Sequence, residues 1–151
     1  QISANFLETD EQEKEHAKKF FKYLEGGMVE IIASYPAGVI GKTIDNLMAA
    51  ANGEREEWSK DYPHFADIAE QEGFPKIAET FRKIATVEQM HEERYKNFIK
   101  NIQENKVFEK DEEVIWQCRN CGYLHKGKKA PELCPACEHP QAYFEIKKEN
   151  Y

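Results

Sequence analysis

The chain has 151 residues, of which 40% are hydrophobic and 32% charged, and its formal net charge at pH 7 is -7. This length suffices for one modest domain with a small appended module, and the absence of any run of about 18 apolar residues excludes a membrane-spanning helix. The negative charge argues against nucleic acid as a partner, because binding to phosphates requires a basic face.

The first predicted helix spans residues 2–25 and carries a glutamate and a histidine at metal-binding spacing. Its apolar residues follow a helical period, and a Gly-Gly pair ends it. Glu13 and His16 lie three residues apart, which places both side chains on one helix face, where they can bind one metal ion. On its own this pattern is weak evidence, because in a chain rich in glutamate such a pair is more often a solvated surface pair.

A long apolar connection separates this helix from the second. Residues 28–41 are too apolar for an ordinary surface loop and contain proline and glycine, so we expect them to cross a hydrophobic surface, as in bundles with one long crossover. The second helix is predicted from Thr43, as its N-cap, to Glu72, with a bend caused by a glycine and a proline. Glu54 and Glu57 lie three apart on one face of it.

The third predicted helix opens at Pro75 and runs to about Glu104. It carries a second Glu-x-x-His pattern, at Glu88 and His91. The charged segment 105–113 follows and is predicted to be a linker.

The two Glu-x-x-His patterns belong to an internal repeat. Shifting the chain by 75 residues without a gap aligns the core-facing positions of the first and third helices, while their outer positions differ. The aligned pairs are Ile2 with Ile77, Phe6 with Phe81, Glu13 with Glu88, His16 with His91, Phe20 with Tyr95, and Leu24 with Ile99. Because the second copy includes the helix of Glu54, we expect the first copy to have a matching helix with one more Glu ligand, supplied by a preceding segment or by another chain.

Carboxylate oxygens together with imidazole favour iron or manganese, and a pair of ions requires bridging carboxylates. We predict that Glu13 and Glu88 bridge the two ions and that His16 and His91 each bind one of them. The predicted ligands of this site are Glu13, His16, Glu54, Glu57, Glu88 and His91. Tyr62 is either a hydrogen-bond donor to this site or a packed core residue.

Two C-x-x-C pairs form the second candidate site, with the cysteines Cys118, Cys121, Cys134 and Cys137. Two such turns can close a tetrahedral four-thiolate site. The spacing alone favours structural zinc, whereas the aromatic residues nearby favour iron in an apolar shell. Short strands are predicted around residues 114–116 and 143–146. The chain is therefore expected to divide into a helical domain, residues 1–110, and a small metal-binding domain, residues 111–151.

In these motifs the chain resembles rubrerythrin. The resemblance rests on residues 13–16, 53–58 and 87–91 and on the two cysteine pairs, and it covers nearly the whole chain. It implies a mainly α, ferritin-like helical bundle with a non-haem di-iron centre, followed by a rubredoxin-like domain with one iron on four cysteines. Three of the bundle's four helices are visible in the sequence. The family's first helix, with its Glu ligand, has no match.

The resemblance also implies a function. Members of the family are peroxide reductases of anaerobes, in which two ferrous ions reduce hydrogen peroxide to water. The rubredoxin-like iron then returns electrons, ultimately from a reduced nicotinamide through a separate reductase. The family works as head-to-tail homodimers, and the counterparts of Glu57 and His16 trade places on one iron as the oxidation state changes. We expect a cytoplasmic protein, since the sequence begins without a signal segment.

Two other functions stay open on the sequence. One is iron oxidation and storage of the ferritin kind, and the other is a non-enzymatic interaction protein with a zinc ribbon. The cysteine module argues against the first, because iron storage does not require an electron-transfer domain. A coloured iron–thiolate site would argue against the second.

Overall fold

The computed structural model of the protein describes residues 1–149, which are mainly helical with a small module of strands near the C-terminus, as predicted. The helices are α1 (Ile2–Phe21), α2 (Thr43–Glu56), α3 (Tyr62–Gln71) and α4 (Pro75–Gln103), and the strands are β1 (Glu109–Cys118), β2 (Leu124–Lys129) and β3 (Phe144–Ile146). The chain divides into two compact units. One is Leu7–Ile99, and the other combines Gln1–Phe6 with the chain from Lys100 onward.

Helix α1 ends four residues earlier than the sequence pattern predicts. Its last turn tightens, because the N–H of Tyr23 bonds to the carbonyl of Phe20 and that of Leu24 to Phe21, which is the three-residue spacing of a 3₁₀ turn. Two glycines with positive φ, Gly26 at 92° and Gly27 at 87°, then turn the chain away from the helix.

Helices α2 and α3 are joined without a break by one π-helical turn, Glu57–Asp61. Pro63 lies two residues after this turn and has no N–H to donate to the helix, and a wider turn is one way in which a helix accommodates a missing hydrogen bond. Thr43 is the first helical residue and not the N-cap. The cap position is held by Lys42, whose backbone N–H donates to the Asp45 carboxylate at 3.2 Å.

The types of side chain that line the buried face of the helical unit differ along its length. Near the end of α3 it is lined with alanines, namely Ala66, Ala69 and Ala78. Next to them lies an aromatic cluster, in which Phe20 stacks on Phe81 with ring centroids 4.7 Å apart. Further along α4, Glu88 and His91 have no exposed surface at all. A fully buried carboxylate such as that of Glu88 requires a compensating ion or proton beside it.

The long connection between α1 and α2 differs from the prediction. Residues 28–42 form neither helix nor strand, and four apolar side chains in it, those of Met28, Ile32, Val39 and Ile40, are at least 90% exposed. The expectation that this connection packs across a hydrophobic surface is therefore wrong for the single chain.

The second unit contains a three-stranded antiparallel sheet in the order β2-β1-β3. Strand β1 begins at Glu109, which pairs with Lys129, so the predicted linker is wrong from residue 109 onward. The core of this unit consists of Trp116, Cys118, Ala130, Cys134 and Phe144.

Candidate metal centres

Three helices bring one group of acidic and imidazole side chains together. Glu13 comes from α1, Glu54 from α2, and Glu88 and His91 from α4. Each offers one ligand atom, and these four atoms lie within 4.8 Å of one another. His16 of α1 adjoins this cluster, with its Nδ1 atom 3.0 Å from Oε1 of Glu88.

The two carboxylates from α1 and α4 are shared between the two imidazoles. Glu13 places Oε1 3.1 Å from Nδ1 of His91 and Oε2 3.1 Å from Nδ1 of His16. Glu88 places Oε2 2.9 Å from Nδ1 of His91 and Oε1 3.0 Å from Nδ1 of His16. Glu54 adds an oxygen 3.5 Å from Nδ1 of His91 alone. The donor atoms therefore form two adjacent groups, one around each imidazole. Each group contains one oxygen of Glu13 and one oxygen of Glu88.

The positions of the donor atoms suit the binding of metal ions better than they suit hydrogen bonds between these side chains. Oε1 of Glu13, both carboxylate oxygens of Glu88 and Nδ1 of His91 are buried without a hydrogen bond of acceptable geometry. Two ligands about 2.1 Å from one ion and at right angles are separated by about 3 Å, which is the spacing found here. Buried charged groups left without partners would destabilise the fold by several kcal/mol, as an order of magnitude, and bound cations would compensate these charges.

The pKa values in this cluster indicate the same requirement for positive charge. Burial lowers the pKa of His91, but contacts with Glu13, Glu54 and Glu88 outweigh it and raise that pKa to about 11. Burial raises the pKa of Glu88, and the charge of Glu13 adds to this against the contact with His91. A proton at Nδ1 of His91 thus takes the place that a metal ion would occupy, and metal binding would release it.

Glu57 lies outside the four-residue cluster, at the start of the π-helical turn. Burial, together with the charges of Glu88, Glu13 and Glu54, raises its pKa to about 7, while the Tyr62 phenol acts in the opposite direction. Both alternatives for Tyr62 hold. Burial and the charge of Glu57 raise the pKa of the Tyr62 phenol above its usual value, and the ring centroid of Tyr62 lies 5.8 Å from that of Phe81.

The sequence pattern did not reveal two contacts beside this cluster. Nε2 of His91 lies 2.8 Å from Oε1 of Gln12, on the side of the ring away from the carboxylates. The indole N–H of Trp58 donates to Oε2 of Glu92 at 2.7 Å, and Glu92 is only 3% exposed. The only available signal was position, since Gln12 precedes a predicted ligand and Trp58 and Glu92 each follow one.

The four cysteines also come together. The Sγ atoms of Cys118 and Cys137 are 3.7 Å apart, as are those of Cys121 and Cys134. Sulfur ligands about 2.3 Å from one tetrahedral ion are separated by about 3.8 Å, so the thiols match a four-thiolate site of zinc or iron. The backbone N–H of His139 lowers the pKa of Cys137 to about 6, which favours the thiolate that a metal requires.

The aromatic shell predicted for this site is present in large part. Trp116 and Phe144 are fully buried beside Cys118 and Cys134, and Tyr123 packs against the same cluster. Tyr143 is 39% exposed and instead lies edge-on to His139, with centroids 4.6 Å apart. An apolar shell of this kind lowers the local dielectric and limits the access of water to the metal.

None of the helices within residues 1–149 combines the length and the apolar character that crossing a bilayer requires.

Comparison with known proteins gave consistent results for both units. The family model described as rubrerythrin matches residues 1–99, and that described as the rubredoxin-like domain of rubrerythrin matches residues 116–145. Rubrerythrin from Porphyromonas gingivalis is 62% identical over the whole chain, which covers 76% of that protein. Rubrerythrin-1 from Clostridium acetobutylicum is 59% identical over the whole chain, which covers 80% of that protein.

Among solved structures, nigerythrin in its fully reduced, all-ferrous state is 30% identical to this chain. The match covers 87% of this chain and 61% of that one, with a TM-score of 0.47. The chain therefore spans less than two thirds of the nigerythrin structure.

Proposed function

The chain belongs to the rubrerythrin family, and from this premise we propose that it reduces hydrogen peroxide to water at a carboxylate-bridged di-iron centre. The family implies an oxidoreductase in which a ferritin-like bundle is combined with a rubredoxin-like iron site. The proposal assigns the first to residues 1–110 and the second to residues 111–151.

One observation carries the proposal, namely the sharing of Glu13 and Glu88 between the two imidazoles. Each carboxylate presents one oxygen within 3.1 Å of His16 and the other within 3.1 Å of His91. A pair of ions, one beside each imidazole, would use both oxygens of both carboxylates. We therefore assign Glu13 and Glu88 as bridging ligands, His16 and His91 as ligands of one ion each, and Glu54 as a further ligand beside His91. Glu57 is assigned to the ion beside His16.

The chemistry requires two electrons and two protons for each peroxide. When bound, two ferrous ions supply the two electrons that convert one hydrogen peroxide and two protons into two waters. The residues of the chain would hold the two ions and form the environment around them. Glu13 and Glu88 would fix the distance between the two ion positions. The Tyr62 hydroxyl holds a proton beside Glu57, and the Tyr62 ring packs against the rings of Phe20 and Phe81.

The cysteine site completes the proposed cycle. An iron ion held by Cys118, Cys121, Cys134 and Cys137 can gain and lose one electron, and would thus relay electrons from a reductase or rubredoxin. We further propose a head-to-tail homodimer, in which the cysteine module of one subunit serves the bundle of its partner. A cytoplasmic location agrees with four cysteines gathered into one metal-binding geometry.

The proposal is tested with iron-loaded protein, reduced without oxygen and then mixed with measured amounts of hydrogen peroxide. We expect one peroxide to be consumed per two electrons, and the iron–thiolate colour to bleach with reductant and return with peroxide. Glu88→Ala should abolish turnover and leave the thiolate spectrum intact. The matched control is Glu93→Ala, an exposed glutamate on the same helix, which should keep full turnover.

Three results would contradict the proposal. Turnover that survives Glu88→Ala would show that the chemistry lies elsewhere. Deposition of ferric iron with oxygen, without peroxide reduction, would favour iron storage. A colourless protein that contains zinc and no iron after loading would favour an interaction module.

A further inference from the structure

We propose that Gln12 is a positioning residue for the di-metal centre, in that it holds the His91 ring with Nδ1 turned towards the carboxylates. This inference rests on the proposed function, since it concerns the same site. Gln12 does not face the carboxylate cluster. It acts through His91, which it contacts from the other side of the ring.

The contact fixes which ring nitrogen carries a hydrogen. Oε1 of Gln12 lies 2.8 Å from Nε2 of His91, and an amide oxygen can only accept a hydrogen bond. Nε2 of His91 must therefore be the N–H donor. The neutral ring then has its lone pair on Nδ1, which is the form that a metal ion binds.

The other nitrogen lies among oxygens that do not bond to it directly. Nδ1 of His91 is 2.9 Å from Glu88, 3.1 Å from Glu13 and 3.5 Å from Glu54, and none of these pairs has the geometry of a hydrogen bond. The hydrogen bond to Gln12 therefore adds a directional contact to the ion pairs that favour this orientation of the ring. A half-turn of the ring would place carbon atoms against the oxygens, and this turn would break the bond to Gln12.

Two consecutive residues of α1 contact opposite sides of this one ring. Gln12 bonds to Nε2, and Glu13 lies next to Nδ1. The His91 side chain is fully buried, so solvent cannot replace the amide oxygen as an acceptor. Among residues 1–149, His16 contacts its two carboxylates through Nδ1 without a matching amide partner. The two imidazoles of the site are therefore held differently.

The test compares three variants of the full chain. Gln12→Leu removes the acceptor while keeping a similar size, and Gln12→Glu keeps an acceptor. Gln89→Leu is the matched control, because Gln89 is exposed on α4 beside Glu88. Two quantities are measured: the affinity of the carboxylate site for Co²⁺, and the ring N–H resonance of His91 in the metal-free protein. Co²⁺ in the cysteine site has thiolate charge-transfer bands and is counted separately.

We expect Gln12→Leu to weaken Co²⁺ binding about 10- to 100-fold and to abolish the slowly exchanging ring N–H signal. Gln12→Glu should retain the signal and restore the affinity, and Gln89→Leu should match the wild type. A purely structural role for Gln12 would change thermal stability without moving the N–H resonance.

The proposal is overturned if Gln12→Leu binds Co²⁺ as tightly as the wild type, or if Gln12→Glu loses the N–H signal while its helices stay intact. The second result decides the matter even if Gln12→Leu does not fold. A wild-type chain that takes up no Co²⁺ at the carboxylate site would refute the proposed di-metal centre. The resonance in the metal-free protein would still report separately on the Gln12 contact.

Discussion

Replacement of Trp58 by phenylalanine should destabilise the helical unit through Glu92. The indole N–H donates to Oε2 of Glu92 at 2.7 Å, and the carboxylate is almost completely buried. Its other oxygen contacts Lys96, whose side chain is 54% exposed and thus provides only a partly screened charge. Phenylalanine retains an aromatic ring but has no N–H to donate. The Glu92 carboxylate therefore loses the hydrogen bond from the indole and keeps only its contact with Lys96.

The expected loss follows from the charge of the acceptor. A hydrogen bond to a charged group contributes about 1.5–3 kcal/mol, so Trp58→Phe should lower the free energy of unfolding by that amount. Glu92→Met should cost a similar amount, since it leaves the indole without an acceptor. The double variant should cost less than the sum of the two, because both partners are then apolar. The coupling energy separates the hydrogen bond from the packing of the indole ring.

Urea unfolding followed by the helical circular dichroism signal measures these differences. Tryptophan fluorescence is unsuitable, because Trp58 itself is removed. The chain has two compact units, so the cysteine site is followed separately by its absorption. A loss below about 0.5 kcal/mol in Trp58→Phe, or a coupling energy below about 0.5 kcal/mol, would refute the reasoning. Glu92 would then be stabilised by Lys96 alone.

Four further substitutions test other parts of the fold. Leu47→Ala should lower the free energy of unfolding by about 2–5 kcal/mol in urea titrations, because Leu47 is fully buried on α2; a loss below about 1 kcal/mol would show that the site collapses freely. Gly73→Ala should destabilise the protein by about 1 kcal/mol, because Gly73 has a φ of 86°. Gly53 lies in a helix with open space at its Cβ position, so Gly53→Ala should stabilise the protein by about 0.5–1 kcal/mol. Equal effects of the two substitutions on the melting temperature would contradict this contrast. Cys134→Ser should abolish the four-thiolate spectrum and leave the helical dichroism unchanged; loss of both signals would mean that the two units do not fold independently.

The spacing of residues along a helix predicted the groups that come together at the carboxylate site. Glu13, Glu54, Glu88 and His91 could be identified because each lies on the inner face of its own helix, and helical period is visible in sequence. Gln12 could not be identified as a partner of His91, since that contact depends on how α1 and α4 pack. Contacts between helices depend on crossing geometry, which the sequence of one helix does not contain.

The errors in predicting the fold also arose where the structure depends on contacts between separate segments of the chain. Strand β2 was not predicted, because the sequence of Leu124–Lys129 is rich in lysine and has no β-branched residue. The charge of the segment from residue 109 predicts a linker, yet this segment begins β1, the central strand of the sheet, and most of its charged side chains before Val114 are exposed to solvent. The hydrophobic pattern of residues 28–41 predicts that their side chains are buried, but burial requires a surface to pack against, and Met28, Ile32, Val39 and Ile40 are exposed in the single chain.

The π-helical turn Glu57–Asp61 sets the rotational phase of the helix that contains it. Each residue of an α-helix advances the side-chain direction by about 100°, so Ala66 would point about 120° away from Glu54 in a regular helix. The turn accommodates one additional residue, and counting that residue out brings Ala66 to within about 20° of Glu54. One helix can thus direct a metal-binding carboxylate and an alanine seam to the same buried side. Deletion of a single residue from the turn would rotate one of these two surfaces into solvent.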